Sequence, residues 1–143
     1  MIAMATVPTR YRVISILAFA WNLTGVAMFF LQTGLEPEQI AALPEPQRVV
    51  YEAMPPWLAL FYGIAVFGGL LGSLGLLLRR RWAIAVLAVS LAAVLVQMGA
   101  LYALTPAWSA SGAGGLAMTL LIAGIAAFLL WYARRASARG WLR

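Results

Sequence analysis

Asn22 and Gln97 are carboxamides set well inside long apolar stretches of this chain, where each can both donate and accept hydrogen bonds. An amide in hydrocarbon is costly unless it is paired, so such residues either tie helices together or line a polar cavity. Asn22 lies near the middle of its stretch and Gln97 toward one end of its own. At ~1.5 Å per residue the two reach comparable depth in antiparallel helices, so a hydrogen bond between them is one expected arrangement. Thr24, Tyr62, Tyr102 and Thr119 add hydroxyls to the same half, while the other half offers only Ser15, Ser73 and Ser90. These six residues read either as helix glue or as the wall of an uncharged vestibule suited to a neutral hydrogen-bonding solute rather than an ion. Trp21, beside Asn22, stacks on such a ligand or packs against lipid or a neighbouring helix.

Other chemistries find little to work with. The chain has no cysteine and no histidine, which removes thiolate zinc sites, iron–sulfur ligation, thiol nucleophiles and the commonest general base. Lysine and aspartate are absent too, leaving glutamate and tyrosine as nearly the only titratable groups for catalysis. Paired carboxylates can cleave glycosidic bonds, but Glu36, Glu38, Glu45 and Glu52 carry no recognised spacing and read as solvated loop charges. No phosphate loop, metal cluster or nucleophile elbow is present, so the sequence predicts no enzyme, no cofactor and no metal.

These residues are positioned by four apolar runs, at 12–32, 57–78, 82–104 and 113–133, each near the ~20 residues that a helix needs to cross ~30 Å of hydrocarbon. Hydrophobic residues make up 64% of the 143 positions and charged ones only 10%, so lipid rather than water must cover most of the surface. Mean hydropathy is +0.92. The first run is too long for a signal peptide and has no small-residue cleavage site after it, so it reads as an uncleaved helix. Every arginine except Arg48 flanks the same side of the spans, in Arg10 and Arg12, Arg79 to Arg81, and Arg134 to Arg143. Basic short loops stay in the cytoplasm, which predicts both termini inside. Trp57 and Trp108 then mark the outer interface, and Tyr11, Trp82, Trp131 and Tyr132 the inner one. The tail from Arg134 is expected to lie along the inner leaflet; lipid and topology account for the arginines without nucleic acid.

The outer loop, 33–56, is punctuated by prolines into two short helices, from Glu36 to Leu43 and from Pro46 to about Met54. Ile40, Leu43, Val50, Tyr51 and Met54 give them an apolar face, predicting a lid or cap that lies on the bundle mouth or in the membrane interface. A second loop is expected from Thr105 to Gly112. Small residues repeat every three or four positions in each span, as close helix contacts require: Ser15, Ala18, Asn22, Gly25 and Phe29; Ala65, Gly68, Gly72 and Gly75; Ser90, Ala93, Gln97 and Ala100; Gly112, Gly115, Thr119, Ala123 and Ala126. The second span has another such face in Tyr62, Val66, Gly69 and Ser73. One of its faces therefore serves either a homo-oligomer contact or packing within the subunit.

Trp21 to Gly25, Ala42 to Glu45, Met54 to Trp57, Ala65 to Ser73 and Val96 to Met98 together give a further indication. With these segments the chain resembles small bacterial four-span inner-membrane proteins of uncharacterised function, a group that often carries the label sugar transporter. The resemblance covers the first three spans and the outer loop, and the fourth span by character only. It implies the four-span fold and a bacterial inner-membrane location. The combined expectation is one all-α domain over residues 1–143, a four-helix transmembrane bundle in contact with the lipid bilayer. It binds or passively passes a neutral solute such as a sugar, as a homo-oligomer, or else serves as a non-transporting accessory subunit.

Overall fold

A computed structural model describes residues 6–143 of the chain; residues 1–5 of the expected domain lie outside it. The described residues form six helices and no strand: α1 (Thr9–Thr33), α2 (Pro37–Ala41), α3 (Glu45–Ala53), α4 (Trp57–Leu77), α5 (Trp82–Leu104) and α6 (Ala107–Ala138). Among them α1, α4, α5 and α6 are long and apolar enough to cross a membrane. The chain is thus a multi-pass, all-α membrane protein built on a four-span bundle. The third expected span coincides with α5, and the first two differ from α1 and α4 only at their ends.

The fourth span differs more. The stretch expected as a loop from Thr105 to Gly112 is helical from Ala107, and α6 continues past 133 to Ala138. At ~1.5 Å per residue such a helix would overshoot the membrane. Gly112 breaks it instead, at φ 58° and ψ −147°, a conformation open essentially to glycine alone. Gly112 is therefore a kink, and no neighbour lies within 4 Å of the place where its side chain would be, so it is no packing contact.

α4 is the centre of the bundle. It packs on α1 along one face and on α5 along another, and α5 in turn packs on α6. Between membrane helices lipid tails are as apolar as leucine, so backbone closeness and hydrogen bonds must supply the attraction. The glycines permit that closeness. A β-carbon on Gly75 would stand 2.8 Å from Ala83 Cβ and 3.2 Å from Ala83 Cα, and one on Gly68 would stand 3.1 Å from Ser90 Cβ. One on Gly72 would run into the Leu87 side chain, and one on Gly69 into Asn22 Oδ1. Gly68, Gly72 and Gly75 thus lie under α5, and Gly69 lies under α1. All four are covered within the chain, so a homo-oligomer contact would have to use other surfaces. Each neighbour also brings α4 a polar group: Ser90 Oγ donates to Ala65 O at 2.6 Å, and Asn22 Nδ2 donates to Ser73 Oγ at 2.9 Å.

The arginine-rich end is closed by the chain itself. α4 ends with Arg79 in the left-handed region (φ 57°), where Arg80 N–H reaches Gly75 O at 2.8 Å and Arg79 N–H reaches Leu76 O at 3.1 Å. α6 ends in the same way, with Gly140 at φ 75°, Trp141 N–H on Ala136 O at 2.9 Å and Gly140 N–H on Ser137 O at 3.0 Å. These are paired Schellman caps that satisfy the last carbonyls of both helices. The second cap turns the tail back on the α4–α5 turn. Arg81 N–H donates to Arg143 O, Arg143 N–H to Arg79 O and Arg79 Nε to Trp141 O, each at 2.9 Å. The tail therefore does not extend along a leaflet as its basic character suggests, because Leu142 finds a buried site and Trp141 meets the Tyr11 ring edge-on at 5.6 Å. Tyr11 and Tyr132 are likewise turned into the protein rather than out from it. They are buried and stacked at 6.0 Å, in one apolar cluster with Leu76, Leu87, Leu129 and Leu142. Trp57, Trp82, Trp108 and Trp131 are exposed, as belt residues should be.

Overpacking the glycine seam is expected to cost about 1–3 kcal/mol per added methyl. Gly72→Ala and Gly75→Ala should lower the thermal midpoint in detergent, while Gly99→Ala and Gly124→Ala, which face open space, should leave it near wild type. Removing residues 141–143 should also lower it, and equal midpoints for full-length and shortened chains would contradict the docked tail.

Candidate functional site

A cleft of about 460 Å³ lies among the four spans. That falls inside the ~300–1,000 Å³ typical of small-molecule sites. Its wall runs along α1 from Trp21 to Gln32 and along α6 from Met118 to Leu129, so it is ~16 Å long at the helical rise. It occupies the half of the spans nearer the α1–α4 loop. At the opposite end it stops on Leu87 and Leu129, which also belong to the cluster around Tyr11 and Tyr132. The cleft is a vestibule closed at its deep end.

Five of the six residues singled out for their hydrogen-bonding groups, Asn22, Thr24, Tyr62, Gln97 and Thr119, line this cleft. Tyr102 does not line it but stands behind Thr119: its hydroxyl lies 3.3 Å from Thr119 Oγ1. Thr119 donates its own proton to Gly115 O at 2.9 Å, so Tyr102 is the donor of that pair, joining α5 to α6.

The expected hydrogen bond between Asn22 and Gln97 is not formed. α1 packs on α4 and makes no comparable approach to α5, so Gln97 sits on a helix that Asn22 does not face. Asn22 instead donates to Ala18 O at 2.8 Å and to Ser73 Oγ at 2.9 Å, and Ser73 passes the chain on to Gly69 O at 2.8 Å. Asn22 is glue between α1 and α4. Gln97 is different: among the described residues neither its carboxamide nor the Tyr62 hydroxyl has a hydrogen-bond partner, and both face the cleft. Thr24 Oγ1 bonds its own helix at Ala20 O, 3.0 Å away, which leaves its lone pairs available.

Most of the remaining wall is apolar. Met28, Met98 and Met118 contribute three unbranched, polarizable side chains to it, and the residue spacing that singled out the polar groups gave these no special place. Ser73 was legible as a small residue on the α1-facing side of α4, but only the helix pairing makes it the partner of Asn22. The loop between α1 and α4 supplies no wall residue, so it does not cap the cleft. α3 rests on α6 with Val50 buried, and the burial of Tyr51 raises its phenol above the ordinary value. Arg48 and Glu52 lie one turn apart at 3.9 Å, an exposed pair of little energetic weight. Among the described residues no three acidic, histidine or cysteine side chains cluster to hold a metal ion.

Beneath the cleft, Ser15 Oγ and Tyr132 OH are buried without a hydrogen-bond partner. Tyr11 OH on α1 donates to Leu76 O on α4 at 2.6 Å. A hydroxyl buried and unpaired costs ~1–3 kcal/mol.

No family model matches this chain, and neither a curated protein nor a solved structure matches it.

The two amides are expected to separate on substitution. Asn22→Leu, which breaks the bond to Ser73, should destabilise the protein by ~1 kcal/mol, whereas Gln97→Leu should leave the thermal midpoint unchanged or raise it. Thermal melts of both purified variants check this, and equal losses would mean that Gln97 also ties helices together.

Proposed function

We propose that this chain binds a neutral small solute in the half-membrane cleft and lets it pass when the end below Leu87 and Leu129 opens. The observation that carries the reading is the set of unspent groups, the Gln97 and Gln32 carboxamides and the Tyr62 hydroxyl, on the wall of a cleft of about 460 Å³. Unpaired polar groups in hydrocarbon are costly, and a ligand that bonds them removes that cost. The cleft wall carries no charged residue, which favours a neutral ligand and leaves no buried carboxylate for proton coupling. Passage is therefore passive in this reading.

The rival role, a structural or accessory subunit, calls for a dry interior in which the amides satisfy each other. The cleft and the lone Gln97 amide favour the solute reading over it. The arginine distribution supports a bacterial inner-membrane setting with both termini cytoplasmic, which puts the cleft's loop end outside. Assembly of several copies is part of this reading, through surfaces other than the glycine seam.

Reconstituted vesicles test it with a panel graded in polarity: labelled neutral sugars, a polyol and a monoacylglycerol. Saturable transfer of at least one member is expected, reduced severalfold in Gln97→Leu and in Tyr62→Phe, both of which should remain folded. No transfer of any member above protein-free vesicles would overturn the proposal.

A further inference from the structure

We propose that the cleft draws its ligand sideways from the bilayer, and that this ligand is a neutral amphiphile with a short hydrogen-bonding head and an apolar tail. The inference rests on the cleft being a solute site, and it names the class of solute. α1 and α6 form the two ends of the row of packed helices and make no backbone approach comparable to the other pairs. They meet through side chains at the arginine-rich end, where Tyr11 stacks on Tyr132. Toward the loop end they stand apart, and the residues on either side of the opening are both wall and surface. Trp21 and Met28 on α1 are 39% and 43% exposed and Met118 on α6 is 53% exposed, yet all three line the cleft. In spanning helices that exposure is to lipid, so the gap is a lateral door.

The chemistry of the wall selects what can enter. Tyr62 and Gln97, on α4 and α5 at the back of the cleft, are unspent polar groups, and the Gln32 carboxamide on α1 is a third, at the loop end of the wall. The helices flanking the door present Met28, Met118 and Ile122 beside Thr24, Gln32 and Thr119. A head with one or two hydroxyls is satisfied at the back while its tail lies against the thioethers, which adapt to a flexible chain. A free sugar would press hydroxyls against those same apolar side chains, and each one left unbonded carries a desolvation penalty. The bilayer also concentrates an amphiphile at the door.

Photolabelling tests this on the full chain in lipid nanodiscs, with a monoacylglycerol whose acyl chain carries a diazirine. The expected result is saturable labelling of peptides holding Met28, Met98 and Met118, removed by excess unlabelled monoacylglycerol and not by glucose. Gln97→Leu should raise the half-saturating concentration roughly fivefold while the thermal midpoint holds. Non-saturable labelling spread over outward residues such as Leu17 and Leu60 would overturn the inference. If glucose then raises the thermal midpoint, the solute reading stands with a water-borne ligand and only the amphiphile falls. If neither compound binds, both fall.

Discussion

Backbone proximity along α4 is the constraint on which the rest of this bundle depends. In a bilayer no hydrophobic effect drives one apolar helix onto another, so the helices must approach closely enough for dispersion and a few hydrogen bonds to hold them. Gly68, Gly72 and Gly75 let α5 settle on one face, and Gly69 lets the Asn22 side chain settle on the other. Each contact is then fixed by a short polar bond, Ser90 to Ala65 and Asn22 to Ser73. With both of these faces of α4 occupied, α6 can dock only on α5, and the four spans form a row whose ends are α1 and α6.

The cleft follows from that row. Trp21 and Met28 on α1, Met118 on α6 and Met98 on α5 line a hollow in the loop-side half. The other half is filled, because Schellman caps on α4 and α6 turn the chain so that Trp141 and Leu142 fold back under Tyr11. One end is therefore open and lined by unspent hydrogen-bonding groups. The other is filled by the stacked rings of Tyr11 and Tyr132, with the Ser15 and Tyr132 hydroxyls buried and unpaired.

Local physics made much of this visible in advance. Long uncharged apolar runs can only be spanning helices, and small residues repeating every three or four positions mark the faces that meet. The polar residues of the vestibule were legible because amides and hydroxyls in such runs need a reason to be there. The Gly112 kink was not, since a glycine in a small-residue stripe looks the same whether it packs or bends. The docked tail was hidden because arginines beside tryptophan resemble an interfacial segment until the partner surface is known.

Composition and periodicity by themselves determined that the chain spans a membrane four times and which end of the bundle carries the arginines. Those are properties of single helices, and the cost of placing a charge or a bare backbone in hydrocarbon settles them locally. Only the tertiary structure decided that Asn22 pairs with Ser73 while Gln97 stays free, that the glycines of α4 are spent within the chain, and that a cleft remains between α1 and α6. These depend on which helices become neighbours, and helices of equal depth and similar faces do not announce their partners.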